Sequence, residues 1–497
     1  MEQDSIDGQL GYPHRTLRHQ CYRDVRTAEE AQEDDSMSHP KGLYLLFVTE
    51  MSERFSYYGM RALLTLYMVA ALFTMTRAAE VYGTFTSLVY LTPLVGGYIA
   101  DRYWGNRRSI LAGGICMAIG QFLMFLSACF IQPSISVEGG TIDPSVDNTL
   151  ALWFMVSGLG MLVIGNGLFK PNIATMVGDL YPQDDRRKDA AFTIFYMGVN
   201  IGALLAPLVC GLFEGSFQDP GRFRWGFLIA CIVISLSMVI FWTFKNRFLV
   251  TPEGRQIGLA KPKVSPIEGE REGGLSRSDY IHMLVIVILA VFVIFFWAAY
   301  EQAGSSLTYF ADQQTDKTFF GWEMPTSWFQ TVPAFFCVVL APVMNWMWQK
   351  MGRFEPHSIQ KLAIGLALLS LAYLVIAFGV KDVEPGLKVS ILWIISLYFI
   401  QVLGELSLSP IGLSLVSRLS PKRFASLMMG IWYLSTSVSN YTAGKLATLY
   451  PEEGQTKYLL GIPITDLHDF FLIFVVMSAV ASIILFCLCP LLKRMMK

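Results

Sequence analysis

The chain has 497 residues, of which 53% are hydrophobic and 15% are charged, and its mean hydropathy is +0.45. Soluble proteins carry about 25% charged residues, so this composition excludes an ordinary soluble globular protein. The net charge of -1 gives no indication of a nucleic-acid partner, and the eight cysteines do not form a zinc-binding pattern, so we expect neither nucleic acid nor a cofactor.

The first 40 residues are polar and contain no apolar block. They lack the hydrophobic region of a secretory signal peptide. Residues 1–40 are therefore predicted to be a flexible cytoplasmic tail.

Apolar blocks of helical length follow the tail. A block of about 20 apolar residues crosses a bilayer as an α-helix, so we predict an all-α membrane protein with the lipid bilayer as its surroundings. The twelve predicted spans are 43–72, 79–102, 107–131, 150–180, 188–213, 224–245, 280–311, 326–349, 359–379, 387–417, 422–449 and 467–492.

A stretch rich in proline, glycine and charged residues, 246–279, separates the first six spans from the last six. Its composition is typical of a flexible linker. We therefore predict an N-terminal six-helix bundle over 41–245, a cytoplasmic linker over 246–279 and a C-terminal six-helix bundle over 280–497.

The basic residues predict the orientation of these spans. Of the 38 lysines and arginines, 27 fall in the segments on the side of the N-terminus and 7 on the opposite side. Positive charge concentrates in cytoplasmic loops. Both termini are therefore predicted to be cytoplasmic, in a multi-pass protein of the cell (inner) membrane.

Charged residues inside the spans are the strongest functional signal. A charge at the centre of a span costs about 2.5–3.5 kcal/mol, so it needs a partner or a water-filled cavity. Span one carries a polar stripe with the offsets of a single helical face, namely Glu50, Glu53, Arg54, Tyr57, Tyr58 and Arg61. Spans four, seven and ten carry Lys170, Glu301 and Glu405.

Each of these charges also has a structural interpretation. The stripe of span one could be a charge cluster that only holds helices together. Lys170 could extend to a membrane interface. Glu301 and Glu405 could be protonated, hydrogen-bonded core carboxyls without a role.

The loop between spans two and three, Gly96–Arg108, resembles the cytoplasmic loop signature of the major facilitator superfamily. The resemblance implies two six-helix bundles with the substrate site between them near the midplane of the membrane. Spans one, four, seven and ten, which carry the charges, would then line the central cavity.

Two further motifs resemble the proton-dependent oligopeptide transporter family more specifically. They are Glu50–Gly59 in span one and Phe192–Gly202 in span five. The segments around Lys170, Trp297 and Glu405 also resemble family motifs. The resemblance implies a symporter that imports di- and tripeptides with protons by alternating access, acting as a monomer and not as an enzyme.

The resemblance also implies roles for individual residues. Arg54, Lys170 and Tyr58 would receive the carboxylate of the peptide, and Glu405 and Asn200 its ammonium group. The residues implied to line the side-chain pockets are Tyr57, Tyr90, Trp297, Ser409, Trp432 and Tyr433. The aromatic members of that set could equally be packing residues.

Proton coupling is implied for Glu50, Glu53 and Arg54, and for the pair of Arg61 with Glu301. In this interpretation Arg61–Glu301 closes the outer side of the cavity and Lys170–Glu405 acts similarly on the inner side. The peptide and the proton would couple binding to gating if each binds one of these two states more tightly than the other.

Two positions depart from the family pattern. Gly83 stands where animal members carry histidine, and Val332 stands where many members carry asparagine. The alternatives left open are a related carrier of nitrate or another small solute, and a peptide-sensing receptor. An intramembrane enzyme is disfavoured because the six histidines lie in the tail or near span ends.

Overall fold

Long α-helices make up most of the computed structural model, which describes residues 39–133, 146–182, 185, 187–251, 254–260, 276–319, 321–381, 387–421, 424–452 and 456–496. The helices of the first half are α1 (Lys41–Ala71), α2 (Met75–Ile99), α3 (Asn106–Phe130), α4 (Thr149–Asp179), α5 (Arg187–Gly211) and α6 (Phe223–Phe248). Those of the second half are α7 (Arg277–Tyr300), α8 (Ser306–Gln313), α9 (Thr331–Met351), α10 (Ser358–Gly379), α11 (Ile391–Leu419), α12 (Ala425–Ala447) and α13 (Leu467–Met495). Almost all of the predicted tail lies outside the described residues.

Within the described part of the chain, nine helical segments are long and apolar enough to cross a membrane. The other long helices, α1, α2 and α12, are less apolar, and α1 carries four charged residues in its buried stripe. The described residues form two separate hydrophobic cores, one for each half of the chain. In the first half α1 packs on α5 and α6, and α3 packs on α4; in the second half α10 packs on α11 and α13.

Short strand pairs lie in the connections between helices of the second half, and the sequence did not predict them. β1 (Thr315–Asp316) pairs in parallel with β4 (Val389–Ser390). β2 (Thr318–Phe319) pairs antiparallel with β3 (Trp322–Glu323), and β5 (Lys457–Leu459) pairs antiparallel with β6 (Ile462–Ile464). Because β4 occupies Val389–Ser390, α11 begins at Ile391, four residues after the predicted start of the tenth span at 387.

The seventh span differs from the continuous helix predicted over 280–311. Helix α7 ends at Tyr300, a 3₁₀ turn covers Glu301–Gly304, and α8 follows. The hydroxyl of Thr65 on α1 donates to the carbonyl of Gly304 at 2.6 Å, so a carbonyl freed from the helix has a partner in the other half of the chain. The break places Glu301 at a bend that faces α1.

Helical structure also extends into both ends of the region 246–279. α6 continues to Phe248, and α7 begins at Arg277 with a capping box between Ser276 and Asp279. After α6 the chain folds back on the first bundle, where Arg107 donates to the carbonyl of Leu249 and to Gln256 at 3.0 Å. Residues 261–275 lie outside the described residues.

Hydrogen bonds between the two bundles concentrate at the end of the molecule that the charge distribution predicts to be outer. The contact reaches the midpoints of α12 and α2, where the hydroxyl of Ser437 donates to the carbonyl of Ser87 at 2.8 Å. The carboxylate of Glu214, just after α5, accepts from the backbone N–H groups of Thr326 at 3.0 Å and Ser327 at 2.8 Å. Burial raises the pKa of the Glu214 carboxyl above its ordinary value. We call this end, where the bundles meet, the outer closure.

The outer closure requires a glycine at position 83. A Cβ built on Gly83 would lie 2.5 Å from the Cα of Gly444 on α12. Carbon atoms that are not bonded prefer about 3.5–4.0 Å. A side chain of any size at position 83 would therefore force α2 away from α12 in this conformation.

Gly83→Ala is expected to weaken the contact between α2 and α12, because the added methyl overpacks the site and costs roughly 1–3 kcal/mol. The measurement is the rate of disulfide crosslinking between cysteines introduced at Ser87 and Ser437, whose hydroxyl oxygens lie 3.0 Å apart. Gly160→Ala is the matched control, since a Cβ there meets nothing within 4 Å. Equal crosslinking rates in the two variants would contradict the prediction.

Candidate functional site

A buried cluster of two acids and one arginine lies in the middle of α1. The Nε of Arg54 is 2.5 Å from a carboxylate oxygen of Glu53 and 3.1 Å from one of Glu50. Glu53 is fully buried and also accepts from the side-chain amide of Asn166 on α4 at 3.1 Å. The spacing of the three charged residues puts them on one helical face, as the sequence predicted.

Arg54 is not saturated by these two acids. Its Nη2 is buried and has no hydrogen-bond partner among the residues that the structure describes. A buried guanidinium with an unused N–H group can donate hydrogen bonds to a further carboxylate, because its planar fork of donors matches the two carboxylate oxygens. The cluster therefore combines a local excess of negative charge with a free donor for an anion.

Lys170 lies on α4, one turn after Asn166. Its Nζ is 4.3 Å from the ring centroid of Tyr90 on α2, which is a cation–π contact. No ion pair involves Lys170 in the described part of the chain. The ammonium group is thus held by an aromatic ring, and its charge is not neutralised by a bound acid.

An ion pair joins the two bundles between α1 and the break after α7. Arg61 donates from Nη2 to the carboxylate of Glu301, and from Nε to the hydroxyl of Tyr82 at 2.5 Å. Both charged side chains are buried. The rings of Tyr58 and Tyr82 lie 5.9 Å and 5.8 Å from the guanidinium carbon. The family resemblance implied this pairing, and the structure places the two groups in contact.

Glu405 lies on α11 and takes its hydrogen bond within the second bundle. The hydroxyl of Tyr300 donates to Glu405 Oε2 at 2.6 Å. Lys170 and Glu405, which the sequence interpretation paired, do not form an ion pair in this conformation of the described residues. Each has a neutral aromatic partner, Tyr90 in one bundle and Tyr300 in the other.

The remaining predicted site residues have varied surroundings. Asn200 donates from its side chain to the carbonyl of Tyr196 at 2.9 Å. Trp297 contacts Tyr300 edge-on at 5.0 Å between ring centroids. Trp432 is buried against α11, where a Cβ on Gly412 would lie 2.4 Å from its ring.

Tyr57, Ser409 and Tyr433 complete the set. Tyr57 is buried against Tyr58, with 5.4 Å between the ring centroids. The hydroxyl of Ser409 is buried and lacks a hydrogen-bond partner within the described ranges. Tyr433 is 41% exposed. Aromatic rings and polar groups therefore occur on both bundles.

Three residues that contact the charged groups were not singled out from the sequence: Asn166, Tyr82 and Tyr300. Asn166 and Tyr300 stand within motifs that the sequence analysis noted, four residues before Lys170 and one before Glu301. A polar residue one turn from an intramembrane charge was the available signal for Asn166. Tyr82 carried no such signal, because its contact with Arg61 joins two different helices.

Long apolar helices in two bundles, with buried charges where the bundles face each other, are typical of a multi-pass membrane protein of the major facilitator type. Within the described residues no group of acids, histidines and cysteines could hold a metal ion. The arrangement offers an unused cation in the first bundle, a carboxylate in the second, and an ion pair between them. It is suited to holding a small ligand with opposite charges at its two ends.

Comparisons with known proteins agree with this class. The POT family profile matches residues 107–268 and 276–460. A peptide transporter of Yersinia enterocolitica is 33% identical, with 82% of this chain and 87% of the relative covered. A di-/tripeptide transporter of Lactococcus lactis is 28% identical, with 92% of this chain and 96% of the relative covered.

The same family appears among solved structures. The crystal structure of a POT family transporter in complex with a thioalcohol-conjugated peptide matches with a TM-score of 0.74 at 29% identity, covering 92% of this chain and 97% of that one. This chain belongs to the POT family. The predicted family and the predicted all-α major facilitator fold are confirmed.

Arg61→Gln is expected to destabilise the protein by about 3–5 kcal/mol, because it leaves the Glu301 carboxylate buried without a partner. Adding Glu301→Gln should restore much of the loss, since two neutral amides replace the buried pair. Thermal unfolding of the purified protein measures both effects.

Lys445→Gln is the control for this cycle, because the Lys445–Glu80 pair also crosses between the bundles but is exposed. We expect little change there, since exposed ion pairs contribute little to stability. Additive effects of Arg61→Gln and Glu301→Gln would contradict the assigned pairing.

Proposed function

We propose that this chain is a proton-coupled symporter that imports di- and tripeptides by alternating access. The observation that carries the proposal is the division of buried charge between the bundles: Arg54 and Lys170 in the first, Glu405 in the second, and the Arg61–Glu301 pair across the interface. The relatives named as peptide and di-/tripeptide transporters support it.

The two ends of a peptide would be bound by different bundles. The carboxylate would lie against Arg54, Lys170 and Tyr58, where a buried unused donor and an unneutralised ammonium group are available. The ammonium group would lie against Glu405 and Asn200. A zwitterion desolvated in a cavity needs a partner at each end, because an unpaired buried charge is costly.

Peptide side chains would contact the aromatic and hydroxyl groups between these ends. The proposed lining is Tyr57, Tyr90, Trp297, Ser409, Trp432 and Tyr433. Aromatic rings give large apolar contact area without demanding a particular side chain. Such a lining fits a carrier that accepts peptides of different sequence.

Proton coupling would act through the charges of α1 and the break after α7. A proton on Glu301 would neutralise the partner of Arg61 and weaken the link between the bundles at the outer closure. Glu50 and Glu53 compete with a bound carboxylate for Arg54, so a proton on either acid would free the guanidinium for the substrate. Binding and gating would then share the same charges.

The conformation described here fits one half of the proposed cycle. The outer closure is formed, Lys170 rests on Tyr90, and Glu405 is bonded to Tyr300. Formation of the Lys170–Glu405 pair would belong to the state in which the outer closure has opened. Each state thus has its own set of partners for the same charged groups.

We also propose the setting in which this cycle operates. The distribution of basic residues supports a cytoplasmic or inner membrane location with both termini in the cytoplasm. The division into bundles at 41–245 and 280–497, joined by the linker 246–279, supports movement of one bundle against the other. One chain holds both bundles and the interface between them, which supports a monomer as the functional unit.

Uptake of labelled dialanine into proteoliposomes should require an inward proton gradient. An excess of unlabelled di- or tripeptide should compete with uptake, and an excess of nitrate should not. Uptake that a protonophore leaves unchanged would exclude proton coupling. Competition by nitrate alone would favour transport of a small anion by the same fold.

Glu301→Gln is expected to abolish gradient-driven uptake while sparing exchange of labelled for unlabelled peptide across the membrane. The amide cannot release a proton, so the link with Arg61 no longer responds to the gradient, but the substrate groups remain in place. The control is Glu452→Gln, since Glu452 accepts from Lys457 and Thr76 at the outer closure, away from the central charges. Full driven uptake by the Glu301 variant would exclude this residue as the coupling site.

A further inference from the structure

Tyr300 is the last residue of α7 and is attached to α11 at two points. Its hydroxyl donates to Glu405 Oε2 at 2.6 Å, and its carbonyl accepts from the side-chain amide of Gln401 at 3.2 Å. Gln401 and Glu405 are one turn apart on α11. The two bonds therefore fix Tyr300 against the turn that presents the carboxylate.

The tyrosine ring is itself held by aromatic neighbours on its own helix. It stacks on Phe296 with 5.8 Å between centroids and 25° between planes, and it meets Trp297 edge-on at 5.0 Å. A ring packed on two sides can move little, so its hydroxyl presents a fixed donor. Phenylalanine at position 300 could keep both ring contacts and would remove only the donor.

Glu405 depends on this donor. Among the described residues it forms no ion pair, and the bond from Tyr300 is charge-assisted when the carboxylate is ionised. The phenol occupies Oε2, so Oε1 keeps its lone pairs for another donor. The bond thereby restricts a flexible glutamate to one orientation and uses only one of its two carboxylate oxygens.

We infer that Tyr300 is a positioning residue that orients Glu405 for the ammonium group of the substrate. The inference rests on the proposed function, because it takes Glu405 as the site of that group. A pre-oriented carboxylate binds a cation more tightly than a mobile one, since less side-chain freedom is lost on binding. Tyr300 thus sets affinity for the amino end of a peptide without contacting the rest of it.

The test compares Tyr300→Phe, Glu405→Gln and the double variant in proteoliposome uptake of dialanine. Tyr300→Phe should raise KM about two- to tenfold, the effect of having to order one more side chain on binding, and change kcat little. In the Glu405→Gln background the same change should add almost nothing, because the carboxylate it orients is gone. Inhibition by N-acetyl-dialanine, which lacks the ammonium group, should be the same with Tyr or Phe at position 300.

Tyr373→Phe is the matched control. Tyr373 is also a buried tyrosine and donates to the carbonyl of Ala299 on α7 at 2.7 Å, but it does not bond Glu405. Its KM for dialanine should stay at the wild-type value. An equal rise in KM for this variant, or additive effects of Tyr300→Phe and Glu405→Gln, would overturn the inference while leaving peptide transport established.

Failure of the proposed function has a different signature. Wild-type protein that neither takes up dialanine nor is inhibited by it would overturn peptide transport, and the role of Tyr300 in binding ammonium would fall with it. Wild-type uptake with a KM unaffected by Tyr300→Phe would overturn the positioning role alone.

Discussion

The cost of burying a charge away from water governs this structure. A carboxylate or guanidinium within the span of a membrane persists only with a partner, and breaking a buried pair by removing one member is far more costly than losing a pair at the surface. Arg61 and Glu301 satisfy each other across the two bundles. Any separation of the bundles at this level must therefore supply each group with water, a proton or another partner.

The break in the seventh span makes that pairing possible. Irregular backbone at membrane depth is tolerated only where its polar groups are satisfied by protein or by a water-filled cavity. Here Thr65 bonds the carbonyl of Gly304, and the side chain of Gln302 donates to the carbonyls of Ala298 and Ala443. The bend that carries Glu301 is thus stabilised from both bundles, and so its shape depends on the outer closure.

Periodicity and charge made the fold and most of the charged residues predictable. The offsets along α1 placed Glu50, Glu53 and Arg54 on one face. The pairing of Arg61 with Glu301 was implied by the family resemblance and not by spacing. The motif resemblance supplied the family. These features depend on local spacing or on the high cost of an isolated charge, both of which are visible in a sequence.

Contacts that depend on the exact approach of two helices were not predictable. The end of α7 at Tyr300 was not predicted, because the short polar stretch that follows contains no proline and apolar residues resume at Leu307, so the segment was interpreted as one continuous span. The bond from Tyr300 to Glu405 and the bond from Arg61 to Tyr82 need tertiary geometry, since a tyrosine in a span is more often a packing residue. The bonds that Glu214 accepts from the backbone N–H groups of Thr326 and Ser327 likewise depend on where the fold places the segment before α9.

The contacts of the outer closure differ in how they respond to a proton. Bonds such as that from Ser437 to the carbonyl of Ser87 involve neutral groups and do not respond to pH. The Lys445–Glu80 pair is exposed and contributes little. Carboxylates of the closure do respond, among them Glu301, which is paired with Arg61, and Glu214, which accepts backbone N–H groups from the second bundle. In the proposed cycle a proton on Glu301 leaves the buried Arg61 without a charged partner, so this pair couples the closure to protonation inside the membrane. The neutral bonds determine where the bundles meet, and the charge state of these acids determines how firmly they are held.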